Sequence, residues 1–256
     1  MYLKNNSIIH INQAITNHNT ENLLPVIMCS WKREESFREV IADLNLQDNQ
    51  DFHLFVWNNN PERKDYFENI LRQNSKFQCS IYHSEKNIGG FGRFYFARHI
   101  SSLPNFQEFC VFIDDDQKFE ANTLSVFLSE RDKKKISSQW AWKLFSLEYY
   151  SPENKTPVYP GDNVDYCGTG GMIIDMNIFN QDDLFNCPEN YWFIEDIWLS
   201  FYAKHFMGYR LTKSSTKFLN GSDEHNLWEK IRHLKGPMLR YLVETYDWQI
   251  TYNKNK

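Results

Sequence analysis

Short apolar runs alternate with stretches of mixed polarity in the first half of the chain. Each run is bounded by turn-forming residues, which predicts a buried β-strand, and the stretches between them carry apolar residues at the spacing of a helix face. The predicted strands are 26–29, 52–57, 79–82 and 110–113, and the predicted helices are centred on 37–44, 67–71 and 93–100. Strands that alternate with helices predict an α/β fold with a mostly parallel central sheet and helices on both faces.

The second half of the chain shows a less regular pattern. Strand-like runs occur at 140–145 and 172–174, helical spacing occurs at 124–128 and 197–206, and a further helical stripe occupies 227–234 among lysines and arginines. We expect this last stripe to dock on the core, and contact with an anionic membrane surface is the alternative. The chain is therefore divided into a poorly anchored leader (1–22), a main domain (23–215, with halves 23–120 and 121–215) and a C-terminal helical extension (216–256).

The composition excludes several classes of protein. The 256 residues include 28 Lys and Arg and 33 Asp and Glu, for a formal net charge of −5, which argues against a general nucleic-acid-binding protein. No stretch approaches the roughly 20 apolar residues that a membrane-spanning helix needs, and the first residues lack the apolar core of a signal peptide. The 5 cysteines form no CxxC pair, so we expect reduced thiols and a cytoplasmic location.

Polar clusters follow four of the predicted strands. They occupy 30–33, 58–60, 87–93 and 114–116. The carboxyl ends of parallel strands meet at one edge of a sheet, where α/β proteins bind their ligands. We therefore expect these four loops to form one binding site.

Three consecutive acidic residues, Asp114, Asp115 and Asp116, follow the predicted strand 110–113 directly. Alternate side chains of a strand face the same side, so Asp114 and Asp116 would point together into the binding site. Carboxylate oxygens are the ligands that Mg²⁺ and Mn²⁺ prefer, which predicts a divalent metal site. A helix-capping cluster or a solvated turn is the alternative.

A glycine-rich loop, Asn87-Ile88-Gly89-Gly90-Phe91-Gly92-Arg93, follows the third predicted strand. Glycine lets the backbone approach a ligand closely, and Arg93 or Arg98 would add positive charge. Beside two carboxylates that hold a metal, such a loop favours a bound diphosphate. A dinucleotide-binding loop would follow the first strand instead, which disfavours NAD binding.

A second acidic pair, Glu195-Asp196, lies inside a strongly apolar stretch. Burial among aromatic residues would raise the pKa of a carboxyl group toward neutrality, which suits a general base that takes a proton from a sugar hydroxyl. Capping of the following helix is the alternative. Farther along, His225 would suit Mn²⁺ as a third ligand, although a lone histidine is more often a surface residue.

Taken in order, these segments resemble a GT-A-fold glycosyltransferase of the large family 2 type. The matching segments are 26–33, the strand closed by Asn58-Asn59-Asn60, the glycine loop 87–93, the DxD-type segment 112–116, a second glycine loop at 168–171 and the segment 193–198. The resemblance covers residues 24–210, with His225 as a further match. The Asn-x-Gly-Gly run and the acidic triplet are similar to the galactofuranosyl and rhamnosyl branch.

The resemblance implies a nucleotide-sugar donor, with a UDP-sugar favoured, and Mn²⁺ or Mg²⁺ as the cofactor. Ser30, Arg33 and Asn58 would line the nucleoside pocket, and the donor would also contact Asn87, Gly89, Gly90, Arg93, Asp114 and Asp115. The metal would be held by Asp116 and Asp114, with His225 as a third ligand.

The resemblance also assigns roles in the reaction. Asp196 would be the catalytic base of an inverting transfer, with Glu195 beside it, and Gly170, Gly171 and Trp192 would form the loop between donor and acceptor. The acceptor would be a hydroxyl group of a saccharide or a lipid-linked acceptor, in surface polysaccharide or glycolipid assembly.

Other functions remain open from the residues alone. A nucleotidyltransferase also uses a metal and a nucleotide, but it would carry a glycine-rich loop after the first strand, where residues 29–33 contain no glycine. A phosphatase with an aspartyl nucleophile would place its aspartates after an early strand. A transferase that has lost catalysis and only binds sugar is disfavoured, because both acidic clusters are intact.

Overall fold

The computed structural model describes residues 3, 7–11, 22–220 and 227–254 of the chain. Its strands are β1 (Ile8–Ile11), β2 (Leu24–Ser30), β3 (Phe52–Asn58), β4 (Gln78–His83), β5 (Phe109–Asp114), β6 (Gln117–Phe119), β7 (Lys135–Ser138), β8 (Ala141–Trp142), β9 (Tyr166–Cys167), β10 (Met172–Asp175), β11 (Arg210–Lys213) and β12 (Phe218–Asn220). Its α-helices are α1 (Glu34–Leu44), α2 (Lys64–Asn74), α3 (Gly92–Ile100), α4 (Thr123–Glu130), α5 (Glu195–His205), α6 (Leu227–Tyr246) and α7 (Thr251–Lys254).

An eight-stranded sheet forms the centre of the fold, in the order β1-β4-β3-β2-β5-β10-β7-β11. Strands β4, β3, β2 and β5 are parallel neighbours, and β11 is parallel to β7. Strands β1 and β10 run antiparallel to their neighbours. Two further sheets each have two strands, β6 with β12 and β8 with β9. The predicted mostly parallel central sheet is confirmed.

Both faces of the central sheet are covered, which explains why its strands are apolar runs. In β2, Val26 and Met28 pack in one core cluster with residues of α1 and α2, whereas Ile27 and Cys29 belong to a second cluster with residues of α3, α5 and α6. Successive strand residues point to opposite faces, so a strand between two helical layers has no face left for polar residues. The predicted helices on both faces are confirmed.

The sheet has a topological switch point between β2 and β5. From β2 the chain builds outward through β3 and β4, and it then returns to place β5 on the other side of β2. Loops that leave the carboxyl ends of two such strands diverge, and a crevice forms between them. Cys29 pairs in register with Asp114, so the loop that follows β2 lies directly beside the acidic triplet.

The beginning of the chain contributes more to the fold than its sequence indicated. We expected residues 1–22 to be a poorly anchored leader, but β1 pairs antiparallel with β4, with Ile8 opposite Tyr82 and Ile11 opposite Cys79. Ile8 and Ile11 are buried, so backbone hydrogen bonds to the sheet and two apolar contacts fix this segment. Most of the remaining leader lies outside the described residues.

The C-terminal residues pack on the rest of the molecule, as predicted. Strand β12 pairs with β6, and Met238, Leu239 and Leu242 of α6 are fully buried in the core cluster that contains residues of α5. In the predicted stripe, Ile231 and Leu234 are half-buried against the same cluster, and the side chains of Leu227 and Trp228 lie outside the described residues. No helix in the described ranges is long and apolar enough to cross a membrane.

Candidate active site

A cavity of about 470 Å³ lies at the switch point, at the carboxyl ends of β2, β3 and β5. The residues predicted for the site that line it are Ser30, Arg33, Asn87, Gly89, Gly90, Arg93, Asp114, Asp115, Asp116, Glu195 and Asp196. Asn59 lines it from the turn after β3. The fold thus brings the four polar loops and the second acidic pair into one cavity.

Asp115 is the most buried member of the acidic triplet. Its carboxylate accepts hydrogen bonds from Ser30 Oγ (2.8 Å) and Arg33 Nη1 (3.1 Å), and the residue is 5% exposed. Burial raises the pKa of this carboxyl group, against the effect of the Arg33 guanidinium. Asp115 therefore ties the end of β5 to the loop after β2.

Asp114 and Asp116 flank this anchor, and each pairs with an arginine. The guanidinium of Arg93 donates a hydrogen bond to Asp114, and Arg33 Nη1 lies 2.8 Å from Asp116 Oδ2. Burial and the charge of Asp114 raise the pKa of Asp116 to about 7, because together they outweigh the attraction of Arg33. Asp116 therefore lacks part of the positive charge that would keep it ionised.

Arg93 is a buried cation beside this cluster. The residue is 4% exposed, and Nε and Nη1 of its guanidinium have no hydrogen-bond partner among the described residues. Burial disfavours the charged guanidinium, but the charges of Asp114 and Glu195 outweigh burial and raise the pKa of Arg93. Arg98, the other candidate cation, does not line the cavity, and its Nε donates to the Phe179 carbonyl (2.9 Å). Of Arg93 and Arg98, Arg93 is therefore the one that could bind a phosphate in the cavity.

Asparagine side chains hold the glycine loop against the cavity. Asn59 Nδ2 donates to the Gly89 carbonyl (3.0 Å), and Asn59 Oδ1 accepts a hydrogen bond from the backbone N–H of Ile88 (3.0 Å). Asn87 Oδ1 accepts a hydrogen bond from the Gly89 N–H (2.9 Å). Gly89 has a φ of 62°, a left-handed conformation that glycine adopts readily. These bonds fix the part of the loop in which Gly89 and Gly90, which have no side chain, line the cavity.

Asn58 does not line the cavity, contrary to the prediction. Its side chain is fully buried, where Nδ2 donates to the Asn60 carbonyl (2.9 Å) and lies 2.8 Å from His83 Nδ1. Asn58 is the last residue of β3, and neighbouring side chains of a strand point to opposite faces. The side chain that reaches the cavity from this turn is that of Asn59.

Glu195 lies against the glycine loop at the start of α5. Thr169 Oγ1 donates to its Oε1 (2.8 Å), and a Cβ atom on Gly90 would stand 1.8 Å from the same oxygen. Burial and the charge of Asp196 raise the pKa of Glu195 to about 7, against the attraction of Arg93. The position of this carboxylate therefore depends on the absence of a side chain at residue 90.

Substitution of Gly90 by alanine is expected to destabilise the protein by about 1–3 kcal/mol, because the new methyl group would displace the buried Glu195 carboxylate. Gly236→Ala is the matched control, since a Cβ atom there would have its nearest neighbour at 3.5 Å and alanine favours a helix by about 1 kcal/mol. Chemical denaturation of both variants measures the difference. Equal stability of the two variants would show that Glu195 moves away from the loop without penalty.

The Asp196 carboxylate is surrounded by hydrogen-bond donors. The Tyr166 hydroxyl donates to its Oδ2, and Lys235 Nζ lies 2.9 Å from the same oxygen. The backbone N–H of Ile197 donates to Oδ1 (2.8 Å). The two sides of this carboxylate are therefore held by different elements, α5 on one side and β9 with α6 on the other.

Lys235 is a cavity residue that sequence analysis did not single out. It lines the cavity together with Ile231 of the same helix. Ile231, Lys235 and Met238 recur at four- and three-residue spacing, which places all three on one face of α6. A lysine on the apolar stripe of an amphipathic helix is the sequence signal that could have identified it.

Three solved glycosyltransferase structures share this arrangement of elements, although no family model matches the chain and no curated protein matches its sequence. A TarS fragment of S. aureus in complex with UDP aligns with a TM-score of 0.58 and 16% identity, over 91% of this chain and 68% of that chain. The mannosyltransferase PcManGT of Pyrobaculum calidifontis, in complex with GDP-Man and Mn²⁺, aligns with a TM-score of 0.62 and 12% identity, over 90% of this chain and 66% of that chain. GalNAc-T7 with UDP, GalNAc and Mn²⁺ aligns with a TM-score of 0.55 and 10% identity, over 79% of this chain and 44% of that chain.

These alignments decide the architecture. The chain has a GT-A fold. Identities of 10% to 16% establish the fold alone. The chain spans about two thirds of the TarS fragment and of the mannosyltransferase, and less than half of GalNAc-T7. Membership of family 2 and likeness to its galactofuranosyl and rhamnosyl branch stay predictions.

Within this GT-A fold, the carboxylates at the end of β5 fit a divalent cation whose remaining ligands would come from water and a bound phosphate. Asp114 and Asp116 line the cavity there and are the candidate ligands. No group of three or more His, Cys, Asp or Glu side chains in the described ranges is arranged to hold a metal by itself. Mg²⁺ is commonly held by one or two carboxylates together with water and substrate phosphates. The raised pKa of Asp116 marks a place that lacks positive charge, so the pair fits such an ion. His225 lies outside the described residues.

Three predicted residues lie close to the cavity of the GT-A fold without lining it. A Cβ atom on Gly170 would stand 1.9 Å from Asp114 Oδ2, so glycine allows this carboxylate its position. Gly171 has a φ of 102°, in the left-handed region. The Trp192 ring stacks on the Phe91 ring, with the centroids 5.4 Å apart. Its neighbour Phe193 lines the cavity instead.

Proposed function

We propose that this protein is a metal-dependent, inverting glycosyltransferase of the family 2 type. It would transfer a sugar from a nucleotide-sugar donor to a hydroxyl group of a saccharide or lipid-linked acceptor. One observation carries the proposal: a single cavity of a GT-A fold collects a carboxylate pair, a backbone-lined glycine loop, a buried arginine and a second carboxylate pair. The first three suit a metal–diphosphate group, and the fourth suits the deprotonation of an acceptor.

The donor diphosphate is proposed to lie along the glycine loop. Gly89 and Gly90 allow the backbone to approach a phosphate closely, and Arg93 lines the same cavity. A divalent cation held by Asp114 and Asp116 would neutralise charge on the departing nucleoside diphosphate. Arg93 would hold the same group through charge-assisted hydrogen bonds.

The nucleoside is proposed to contact the part of the cavity that Ser30, Arg33 and Asn59 line. UDP is present in the TarS and GalNAc-T7 structures, and GDP-Man is present in the mannosyltransferase structure. A UDP-sugar is therefore the first donor to test and a GDP-sugar the second.

Asp196 is proposed as the catalytic base. Asp196 lines the cavity and is held in an ion pair with Lys235, and a carboxylate within reach of a hydroxyl group can accept its proton. The acceptor hydroxyl would pass its proton to Asp196 while its oxygen attacks the anomeric carbon from the face opposite the diphosphate. Attack from that face inverts the configuration at the anomeric carbon.

Apolar and aromatic side chains line the same cavity as Asp196, among them Trp140, Phe193 and Ile231. Aromatic side chains present large apolar faces, which suits contact with the rings of a saccharide acceptor. A role in surface polysaccharide or glycolipid assembly belongs to the same proposal. Contact of the C-terminal segment with a membrane surface would use the polar face of α6, since Met238, Leu239 and Leu242 of this helix are buried.

A thermal-shift panel of nucleoside diphosphates and nucleotide sugars, with and without Mn²⁺, tests the proposal. At 100 times its Kd, a UDP-sugar with Mn²⁺ is expected to raise the Tm by about 5 °C or more, and neither component is expected to do so alone. Release of UDP in the presence of acceptor then measures transfer. Pyrophosphate release from a nucleoside triphosphate would identify a nucleotidyltransferase instead, and binding without metal-dependent turnover would identify a sugar-binding protein.

A further inference from the structure

Lys235 reaches the candidate active site from the C-terminal helix. Its Nζ lies 2.9 Å from Asp196 Oδ2 and 3.4 Å from the Tyr166 hydroxyl oxygen. The Lys235 and Asp196 side chains are 12% and 14% exposed, so little water screens the pair. An ammonium group placed this deep is unfavourable unless a carboxylate compensates it, and Asp196 is that carboxylate.

Aromatic rings complete the surroundings of the ammonium group. Lys235 Nζ lies 4.6 Å from the ring centroid of Tyr149 and 5.4 Å from that of Tyr166. The faces of such rings attract a cation. Burial disfavours the charged form of Lys235, but the charge of Asp196 and the hydrogen bond to it outweigh burial and raise the pKa of the ammonium group. The lysine is therefore a fixed positive charge at neutral pH.

Lys235 and Tyr166 leave one oxygen of the Asp196 carboxylate, Oδ1, able to accept a further hydrogen bond. Both donate to Oδ2 of Asp196, whereas Oδ1 accepts one hydrogen bond, from the backbone N–H of Ile197. A carboxylate oxygen has two lone pairs, so Oδ1 retains one for an incoming hydroxyl group. The contacts thus select which oxygen could take a proton.

We propose that Lys235 is a positioning residue of the active site, which keeps the Asp196 carboxylate ionised and turned so that Oδ1 meets the acceptor hydroxyl. This inference rests on the proposed function, because it concerns the base of that reaction. It makes α6 part of the catalytic machinery rather than a helix that only covers the core. Lys235 itself would touch neither donor nor the reacting atoms.

The charge state of Asp196 depends on the groups that face it from four directions. They are Glu195 from α5, Tyr166 from β9, Tyr149 and Tyr150 from the segment between β8 and β9, and Lys235 from α6. Glu195 carries the other carboxyl group of this set, and the tyrosine hydroxyls are neutral at physiological pH. Lys235 is the cation of this set, so its removal is expected to favour the protonated form of Asp196.

Kinetics of Lys235→Met, with Lys235→Arg and Lys230→Met as comparisons, test the proposal. Lys235→Met is expected to lower kcat about 10–100-fold with less than about a threefold change in the donor KM, and to move the acid limb of the kcat/KM profile about one to three pH units higher. Lys235→Arg keeps the charge and should keep the acid limb in place. Lys230 is exposed on the same helix, and Lys230→Met should behave as the wild type.

An unchanged acid limb in Lys235→Met would overturn the proposal even if kcat falls, because a merely structural lysine would lower activity without altering the titration. Circular dichroism checks that each variant is folded. Lys235→Gln, which keeps a hydrogen-bond donor without the charge, replaces Lys235→Met if the latter does not fold, and the same shift of the acid limb is expected.

A stability series separates failure of this inference from failure of the proposed function. In Lys235→Met, ionisation of Asp196 has no cation to compensate it, so the Tm is expected to fall as the pH rises from about 5 to 8 relative to the wild type. The double variant Asp196→Asn, Lys235→Met should not show this additional decrease of the Tm with pH. A wild type that transfers no sugar would overturn the proposed function, whereas a Lys235→Met variant with the wild-type pH profile of Tm would overturn the role of Lys235.

Discussion

Replacement of Asp196 by asparagine is expected to lower the rate of sugar transfer by about 10²–10⁴-fold while the donor still binds with nearly wild-type affinity. The amide has almost the same shape as the carboxylate but cannot accept the proton of an attacking hydroxyl group. Donor contacts are proposed to come from the glycine loop, Arg93 and the acidic triplet, which this change leaves in place. Isothermal titration with UDP and Mn²⁺ measures binding, and UDP release in the presence of acceptor measures transfer.

The partner of Asp196 complicates the single variant. Asparagine would leave the Lys235 ammonium group buried without a carboxylate, and loss of one partner from a buried ion pair destabilises a protein by about 3–5 kcal/mol. The double variant Asp196→Asn, Lys235→Met removes both charges and should recover most of that stability. We expect the double variant to be as inactive as Asp196→Asn, which separates loss of the base from loss of the fold.

Full transfer by a folded Asp196→Asn variant would exclude Asp196 as the base. Glu195 would then be the next candidate, since its buried carboxyl group has its pKa raised to about 7 and lines the same cavity. Glu195→Gln, assayed in the same way, would decide between the two neighbouring carboxylates.

The parallel half of the fold and the place of its ligand site could be predicted from sequence because both follow from burial. Strands enclosed between two helical layers must be apolar on both faces, so runs such as 26–29 and 110–113 stand out from their surroundings. Parallel strands end at the same edge of a sheet, so the loops after β2 and β5 were expected to be neighbours, and Cys29 pairs in register with Asp114. The sequence alone therefore predicts that Asp114 and Asp116 lie at a ligand site.

Single-residue placements on turns were less predictable. Asn58 and Asn59 are chemically identical, and which of them reaches the cavity depends on where β3 ends. Because strand side chains alternate, a difference of one residue in register exchanges the buried side chain for the one that faces the ligand. The sequence contains no signal that distinguishes these two positions.

Long-range partners of short elements were missed for another reason. Strands β8 and β9 have two residues each, too few for any periodicity to appear, and β1 owes its conformation to pairing with β4. Lys235 becomes part of the site only because α6 docks beside Tyr166, 69 residues earlier in the chain. Such contacts are products of tertiary packing, which local pattern does not encode.

Replacement of Asp116 by asparagine is expected to abolish the Mn²⁺-dependent part of donor binding. A neutral amide in place of one of two carboxylates weakens the attraction for a divalent cation, and the loss should exceed the roughly 10–100-fold that removal of an outer-shell partner typically causes. A Tm titration with Mn²⁺ at a fixed concentration of UDP measures the change. Sugar transfer should fall in parallel, since the departing diphosphate would lose its cation.

Asp115→Asn is the matched control for this experiment. Asp115 is held by Ser30 and Arg33, so its replacement should lower stability while the dependence on Mn²⁺ remains. Without metal, the two variants should also differ in pH dependence. The pKa of Asp116 in the fold is raised from 3.8 to about 7, so the wild type loses stability as the pH rises through that value, and Asp116→Asn should lose less between pH 5 and 8. Wild-type dependence on Mn²⁺ in Asp116→Asn would place the metal on other ligands and remove Asp116 from the site.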